Sequence, residues 1–197
     1  MKHHTRLLAA VSAICAIAAV GATSASAGTA NEVDKAFVAE MPMHHEMAIE
    51  MAEMALDQAE HGQIKSTARK IIKAQRAEIG RLTKIAKGLG VTPADGHDHM
   101  AMMEGLETLG LTMKQAGMDM DMGMLDGAKP FDRMFIEMMI PHHQGAIRMA
   151  RIELRRGKDP ELRTIARAIV SAQAKEIKEM KRWSAAWYGP PSAAGAM

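Results

Sequence analysis

Apolar residues recur every three or four positions along four long stretches of this 197-residue sequence. Such spacing places them on one face of a helix, and no alternating apolar–polar run bounded by turns predicts a strand. The sequence therefore predicts an all-α protein. Its four long helices are expected at about 31–60, 64–87, 129–156 and 160–187, the last with Asp159 as N-cap and Pro160 at its first position.

The second half of the chain repeats the first. Residues 37–85 align with residues 135–183 without a gap. About a third of the aligned residues are identical, which indicates an internal duplication rather than a chance match. Each copy holds two of the long helices, so the duplicated unit is a helical hairpin.

Two such hairpins predict an antiparallel four-helix bundle. The second hairpin is joined to the first by a linker in which residues 106–114 are predicted to form a short helix. The predicted segments are a signal peptide (1–27), the first hairpin (28–88), a Met-, His- and Gly-rich linker (89–129), the second hairpin (130–188) and a tail (189–197), with 28–188 as one domain.

Each copy carries two adjacent histidines beside a proline, within its first helix. A proline there removes one backbone hydrogen bond and crowds the carbonyl four residues back. Local strain of this kind is a hint of function, since a bend reorients imidazoles that are normally about 100° apart. The pairs are His44 and His45, after Pro42, and His142 and His143, after Pro141.

In an antiparallel hairpin, residues equally far along the chain from the turn lie side by side, at the same height in the bundle. His44 precedes the turn at His61 by as many residues as Glu78 follows it, so both should lie at mid-bundle. The second copy repeats this arrangement about Asp159. The supporting residues predicted for this polar layer are Glu78 and Glu176, with Gln75 and Gln173 one turn away on the same core-facing stripes.

Methionines lie at helical spacing from these histidines. Thioether sulfur is a soft donor that selects Cu(I), and imidazole suits copper in either oxidation state. Residues three, four or seven apart share a helix face. The candidate copper ligands in the bundle are therefore His44, His45, His142 and His143 together with Met41, Met47, Met51, Met138 and Met139.

The linker concentrates the same donor types in a region without an evident core. The segments HDHMAMM and MDMDMGM lie among glycines and aspartates, where clustered methionine has little structural reason to occur. We interpret them as a flexible copper-capture arm. Its candidate ligands are His97, His99, Met100, Met102, Met103, Met118, Met120, Met122 and Met124.

Residues 1–27 have the basic start, short apolar run and small-residue cleavage site, ending at Ala27, of a secretory signal peptide. Its removal takes the single cysteine and two of the 25 Lys and Arg residues, which leaves 23 to balance the 23 Asp and Glu residues. This balance does not indicate nucleic-acid binding. We expect a secreted or periplasmic, thiol-free protein without a membrane span.

The segment FDRMFIEMMIPHHQGAIRMA, residues 131–150, closely resembles the domain of unknown function 305 (DUF305) family, whose hallmark is the His-His-x-Gly-Ala motif. The first copy is degenerate, with Glu46 and Met47 in place of Gln144 and Gly145. The resemblance implies an exported, ferritin-like four-helix protein that binds copper and supports copper tolerance. By matching positions it implies a role for His142, His143, Met138 and Met139, and for His44, His45 and Met41 in the other copy.

Two alternatives remain open from the sequence. A ferritin-like di-metal oxidase would use a Glu from each of two helices plus paired Glu-x-x-His motifs, and neither histidine pair has that motif. A metal-free structural or signalling bundle would use the polar layer only to fix helix register. We favour a non-enzymatic protein that sequesters or shuttles copper, with copper ions as its ligand and a delivery partner that the sequence does not identify.

Overall fold

The structure is a computed structural model that describes residues 30–95 and 99–189. The predicted signal peptide and most of the tail lie outside these ranges. No strand occurs within them, and the all-α prediction is confirmed. The helices are α1 (Glu32–Gln58), α2 (Gly62–Leu89), α3 (His99–Leu109), α4 (Met113–Ala116), α5 (Phe131–Arg156) and α6 (Pro160–Tyr188), with a 3₁₀ turn at Met122–Met124.

The four long helices form the predicted antiparallel bundle of two hairpins. α1 pairs with α2 and α5 pairs with α6, while α1 and α5 pack against each other at the centre. Local capping sets the helix starts: Asn31 caps α1 in a capping box with Asp34, and Asp159 caps α6 as the sequence predicts. None of the helices in the described ranges is long and apolar enough to cross a membrane.

One aspartate from each hairpin holds the turn of the other hairpin. Asp34 in α1 accepts hydrogen bonds from two consecutive backbone N–H groups of the α5–α6 turn, at 3.0 and 2.9 Å. Its repeat counterpart, Asp132 in α5, accepts two from the α1–α2 turn, at 3.0 and 2.8 Å. Because the halves exchange the same contact, an approximate twofold axis relates them and α1 runs antiparallel to α5.

The buried apolar side chains form two clusters, one toward each end of the bundle. Phe37 lies in the first cluster with Leu82 and Leu106, and its repeat counterpart Phe135 lies in the second with Ile71. Along α1 and α5, the positions between the two clusters are those of the histidine pairs. The polar layer therefore lies near mid-bundle, as the sequence predicts.

The linker is packed onto the bundle, which corrects its prediction as an arm without a core. Leu106 and Leu109 from α3 and Met118 are buried in the first cluster, and Leu125 is buried in the second. The predicted helix at 106–114 is also wrong. The backbone of Gly110 turns into the left-handed region at φ 74°, so α3 ends before it and α4 begins with its own capping box.

A buried carboxyl lies where α5 meets the start of α1. Glu153 is fully buried close to Asp34. Burial, and then the negative charge of Asp34, raises the pKa of Glu153 to about 8. The folded protein therefore holds Glu153 protonated at neutral pH, whereas in the unfolded chain its pKa returns to about 4.5.

Glu153→Gln is expected to flatten the pH dependence of stability. The raised folded pKa contributes stability that is complete below about pH 4.5 and is lost as the pH rises to about 8. The variant keeps the side-chain shape without the charge, so it should exceed the wild type at pH 8 by on the order of 2 kcal/mol. Urea unfolding at pH 5 and pH 8 measures this, with the exposed Glu50→Gln as control. Parallel pH profiles for wild type and Glu153→Gln would contradict the assignment.

Candidate metal centre

His44 and His142 stack where α1 and α5 cross. Their ring centroids are 3.8 Å apart, with 21° between the ring planes, and both side chains are fully buried. They are equivalent residues of the two repeats, so the approximate twofold axis passes between them. His142 Nε2 also lies 2.9 Å from the backbone oxygen of His44.

The linker supplies the other contacts of this stacked pair. The Nε2 of His44 is 3.0 Å from the backbone oxygen of Ala116, and the Nδ1 of His142 is 2.9 Å from that of Gly117. Gly145 on α5 permits the approach, because a Cβ there would lie 1.7 Å from the Ala116 oxygen. Backbone carbonyls from the linker therefore cover one side of the histidine layer.

Both stacked rings are neutral at physiological pH. Burial lowers the pKa of His44 well below its usual value and lowers that of His142 to about 3. The neighbouring histidines also lower both pKa values, but by less than burial does. A neutral imidazole donates only one N–H. His142 has a carbonyl oxygen at each ring nitrogen, so it donates to one and turns a lone pair toward the other.

The second histidine of each pair contacts a glutamate within its own hairpin. The Nε2 of His45 is 2.8 Å from a carboxylate oxygen of Glu78, and that of His143 is 2.7 Å from one of Glu176. The sequence placed Glu78 level with His44, whereas the hydrogen bond is made by the next residue. The reason is rotation about the helix: when the first ring faces the other repeat, its neighbour faces the hairpin partner.

The other ring nitrogen of each glutamate-bound histidine is buried without a hydrogen-bond partner. This holds for the Nδ1 of His45 and the Nδ1 of His143, and also for the Nδ1 of His44. A carboxylate that accepts from Nε2–H leaves Nδ1 as the lone-pair atom of a neutral ring. A carboxylate behind one nitrogen and an open lone pair on the other is the usual arrangement of a metal-ligating histidine.

The predicted sulfur ligands of the bundle lie mostly in its core. Met41 and Met139 are fully buried, one helical turn before the glutamate-bound histidines, and belong to opposite core clusters. Met51 and Met138 are also buried, and Met47 is partly buried. α1 and α5 stay helical through Pro42 and Pro141. The methionines and histidines therefore keep their helical spacing along each helix.

The remaining predicted residues divide by exposure. Gln75 and Gln173 are buried, and each has a side-chain oxygen without a hydrogen-bond partner. In the linker Met100, Met103 and Met124 are exposed at 77%, 39% and 58%, whereas Met102 and Met118 are buried and Met120 and Met122 are partly buried. His97 lies outside the described residues, and His99 begins α3.

Sequence reasoning missed the linker carbonyls and the buried acids Glu40 and Glu153. Contacts made by main-chain atoms cannot be read from residue types. The sequence feature that could have indicated this contact is the pair Gly117 and Gly145, whose missing side chains let the two backbones meet. Across the described residues no three His, Cys, Asp or Glu side chains converge to hold an ion.

The sequence profile of the family described as "Domain of unknown function (DUF305)" matches residues 34–195. The chain belongs to the DUF305 family. The resemblance seen in the His-His-x-Gly-Ala motif is thereby confirmed over nearly the whole region that follows the predicted leader.

Solved structures show the same fold as this DUF305 protein. CopM in its Cu(I)-bound form is 35% identical, with a TM-score of 0.65 over 79% of this chain and 98% of CopM. CopM has also been solved with Cu(II) and with Ag bound. A DUF305 protein from Streptomyces coelicolor is 23% identical with a TM-score of 0.66, over 78% of this chain and 93% of that one, and shows the fold alone.

One curated relative matches a shorter stretch. An uncharacterized protein of Acanthamoeba polyphaga mimivirus is 41% identical over 49 residues, which are 25% of this chain and 32% of the viral protein. The chain thus spans about a third of that protein.

Glu78→Ala is expected to lower the free energy of unfolding by about 1–3 kcal/mol, because it leaves the buried Nε2–H of His45 without an acceptor. Glu53→Ala is the matched control, since Glu53 pairs with Arg76 on the surface and its loss should cost less than about 1 kcal/mol. Chemical unfolding of both variants measures the difference. Equal losses would show that the His45–Glu78 contact is not a buried hydrogen bond.

Proposed function

We propose that this DUF305 protein is an exported copper-binding protein that sequesters or shuttles copper in copper tolerance. The observation that carries the proposal is the duplicated pair of buried histidines, His45 and His143. Each contacts a glutamate through Nε2 and has no hydrogen-bond partner at Nδ1.

The donors around these rings favour soft copper over hard cations. An imidazole nitrogen with buried thioether sulfur is a set that suits Cu(I), and calcium or magnesium would require several oxygen ligands. Met41 and Met139 are the first sulfur candidates, since they precede His45 and His143 by one helical turn. Met47, Met51 and Met138 can complete the coordination, and the stacked His44 and His142 can join it.

The predicted export of the chain is consistent with copper binding by methionine and histidine rather than by cysteine. The predicted leader directs the chain out of the cytoplasm into an oxidising compartment, where thiols are readily oxidised. The chain after residue 27 has no cysteine, so methionine and histidine are its soft and borderline donors. The CopM structures with Cu(I), Cu(II) and Ag, at 34–36% identity, support the same ligand class.

Exposed methionines of the linker are candidates for first capture. Met100 and Met103 line a groove of about 700 Å³ on the outer side of α3, together with Glu104 and Glu107. Met124 is exposed in the 3₁₀ turn. A weak site of this kind collects the ion at the surface, and the buried centre then holds it.

The enzymatic alternative has less support from the geometry. A di-metal oxidase needs carboxylates that bridge two ions, but Glu78 and Glu176 each serve a histidine of their own hairpin. The metal-free bundle would leave the unpartnered Nδ1 atoms of His45 and His143 unexplained, since buried polar atoms are normally hydrogen-bonded. We therefore rank a copper carrier above both.

A double variant His45→Ala/His143→Ala is expected to weaken Cu(I) binding by at least about 100-fold, as loss of ordered ligands does at metal sites. The measurement is an anaerobic titration of residues 28–197 with Cu(I) against a chromophoric chelator. His61→Ala is the control, because His61 lies in the α1–α2 turn near Asp132, away from the central layer. Unchanged affinity in the double variant would move the site to the linker, and no competition by the wild type would favour the metal-free bundle.

Met41→Leu/Met139→Leu is expected to weaken Cu(I) binding by about tenfold or more while Cu(II) binding changes less, because thioether prefers the softer ion. Leucine nearly conserves the volume, so the fold should lose less than about 1.5 kcal/mol per site. Met180→Leu is the control, since Met180 is fully buried in the second cluster on α6. Equal affinity in both variants would remove Met41 and Met139 from the site.

A further inference from the structure

The two hairpin turns are equivalent in the repeat but differ in how they cap the helix that follows. In the second turn the side chain of Asp159 accepts hydrogen bonds from the backbone N–H groups of Glu161 and Leu162, at 2.8 and 2.9 Å. The equivalent residue of the first turn is His61, whose side chain makes no capping hydrogen bond to α2. Its Nδ1 lies 2.6 Å from a carboxylate oxygen of Asp132 instead. The first turn therefore has no carboxylate where the second turn has one.

The start of α2 consequently keeps backbone donors without an acceptor. The first N–H groups of any helix have no partner inside it. Asp132 accepts from the two N–H groups before the helix, and the N–H of Ile64 bonds back to the turn. No described residue accepts from the N–H groups of Gly62 and Gln63. The first turn of α2 also lacks an acidic residue, whereas that of α6 has Glu161 to interact with the helix dipole.

A groove of about 430 Å³ lies beside this helix start, between α2 and α6. Gly62 and Gln63 line it, and the other described residues that the argument uses are Ser66, Thr67 and Lys70 on α2 and Glu179, Arg182 and Trp183 on α6. Two of these side chains are cationic and one is acidic. With the positive end of the α2 dipole added, the groove favours an anion.

Thr67 brings a buried hydroxyl to the wall of the groove. The residue is only 3% exposed, and its hydroxyl has no hydrogen-bond partner in the part of the chain that the structure describes. A threonine hydroxyl inside a helix often bonds the carbonyl four residues back, as Thr164 of α6 does to Pro160 at 2.8 Å. Because buried polar groups are normally hydrogen-bonded, the Thr67 hydroxyl points to an acceptor supplied by a ligand in the groove.

We propose that this groove is an oxyanion site that takes a phosphate group. The N–H groups of Gly62 and Gln63 and the hydroxyl of Thr67 donate hydrogen bonds to it, and Lys70 and Arg182 supply the positive charge. Backbone donors at a helix start together with cationic side chains are the usual means by which proteins bind phosphate. The site lies at the turn end of α2, apart from the histidine layer, so this inference does not depend on the proposed copper function.

Titration with inorganic phosphate and with phenyl phosphate, at constant ionic strength and followed by NMR of the backbone amides, tests the site. Both probes are expected to shift the amide signals of Gly62 and Gln63 saturably. The amides of Glu161 and Leu162 should stay unchanged, because Asp159 already accepts from them. Tighter binding of phenyl phosphate would identify a phosphate ester, whose carbon part can lie on Trp183, as the preferred ligand, and equal binding would identify free phosphate. Shifts that grow without saturation for both probes would overturn the proposal.

Substitutions separate the proposed donors from surface charge. Thr67→Val keeps the side-chain shape without the hydroxyl, and His61→Asp supplies the carboxylate that caps the second turn. Each is expected to weaken phosphate binding by about tenfold, since hydrogen bonds to a charged group are strong. Glu179→Gln removes the acid of the groove and should strengthen binding severalfold. Lys181→Ala is the matched control, because Lys181 is exposed next to Arg182 and does not line the groove.

Thermal unfolding without phosphate checks that each variant is folded. Thr67→Val breaks no hydrogen bond of the described residues, so it keeps the test valid should His61→Asp fail to fold. Equal phosphate affinity in the wild type and Thr67→Val would mean that phosphate is held by surface charge alone, and would overturn the site.

Discussion

Four imidazole rings are buried at the centre of this bundle, and their nitrogens need hydrogen-bond partners. Two glutamates and two backbone oxygens of the linker provide most of these partners. A buried polar atom without a partner costs about as much as a lost hydrogen bond. Glu78 and Glu176 meet one nitrogen each on His45 and His143, and the linker meets His44 and His142 with carbonyl oxygens. The Nδ1 atoms of His44, His45 and His143 have no hydrogen-bond partner, and this makes them the candidate metal-binding atoms of the layer.

The duplication makes the centre approximately symmetric, and sequence differences between the two copies make its two sides unlike. Asp34 and Asp132 exchange identical contacts between the hairpins, and the stacked rings lie on the axis that relates them. Gly145, however, is matched by Met47 in the first copy. One copy thus admits the backbone of the linker, and the other presents a thioether at the same position.

Two buried acids, Glu40 and Glu153, are not among the ligands of the proposed copper site. Burial raises the pKa of Glu40 to about 7, and burial together with the charge of Asp34 raises that of Glu153 to about 8. Glu40 packs against Gly105 of α3, and Glu153 packs against Gly157 at the end of α5.

The sequence alone determined the all-α class, the hairpin duplication, the family and the level of the histidine layer, because helical periodicity, caps and repeat spacing are local properties. The donor types of the proposed copper site could be read from the sequence in the same way. The tertiary structure decided that His45 rather than His44 meets Glu78, since the rotation of α1 depends on its packing against α5. It also decided that the linker is docked, because its bonds to the bundle use main-chain oxygens, which every residue type carries alike.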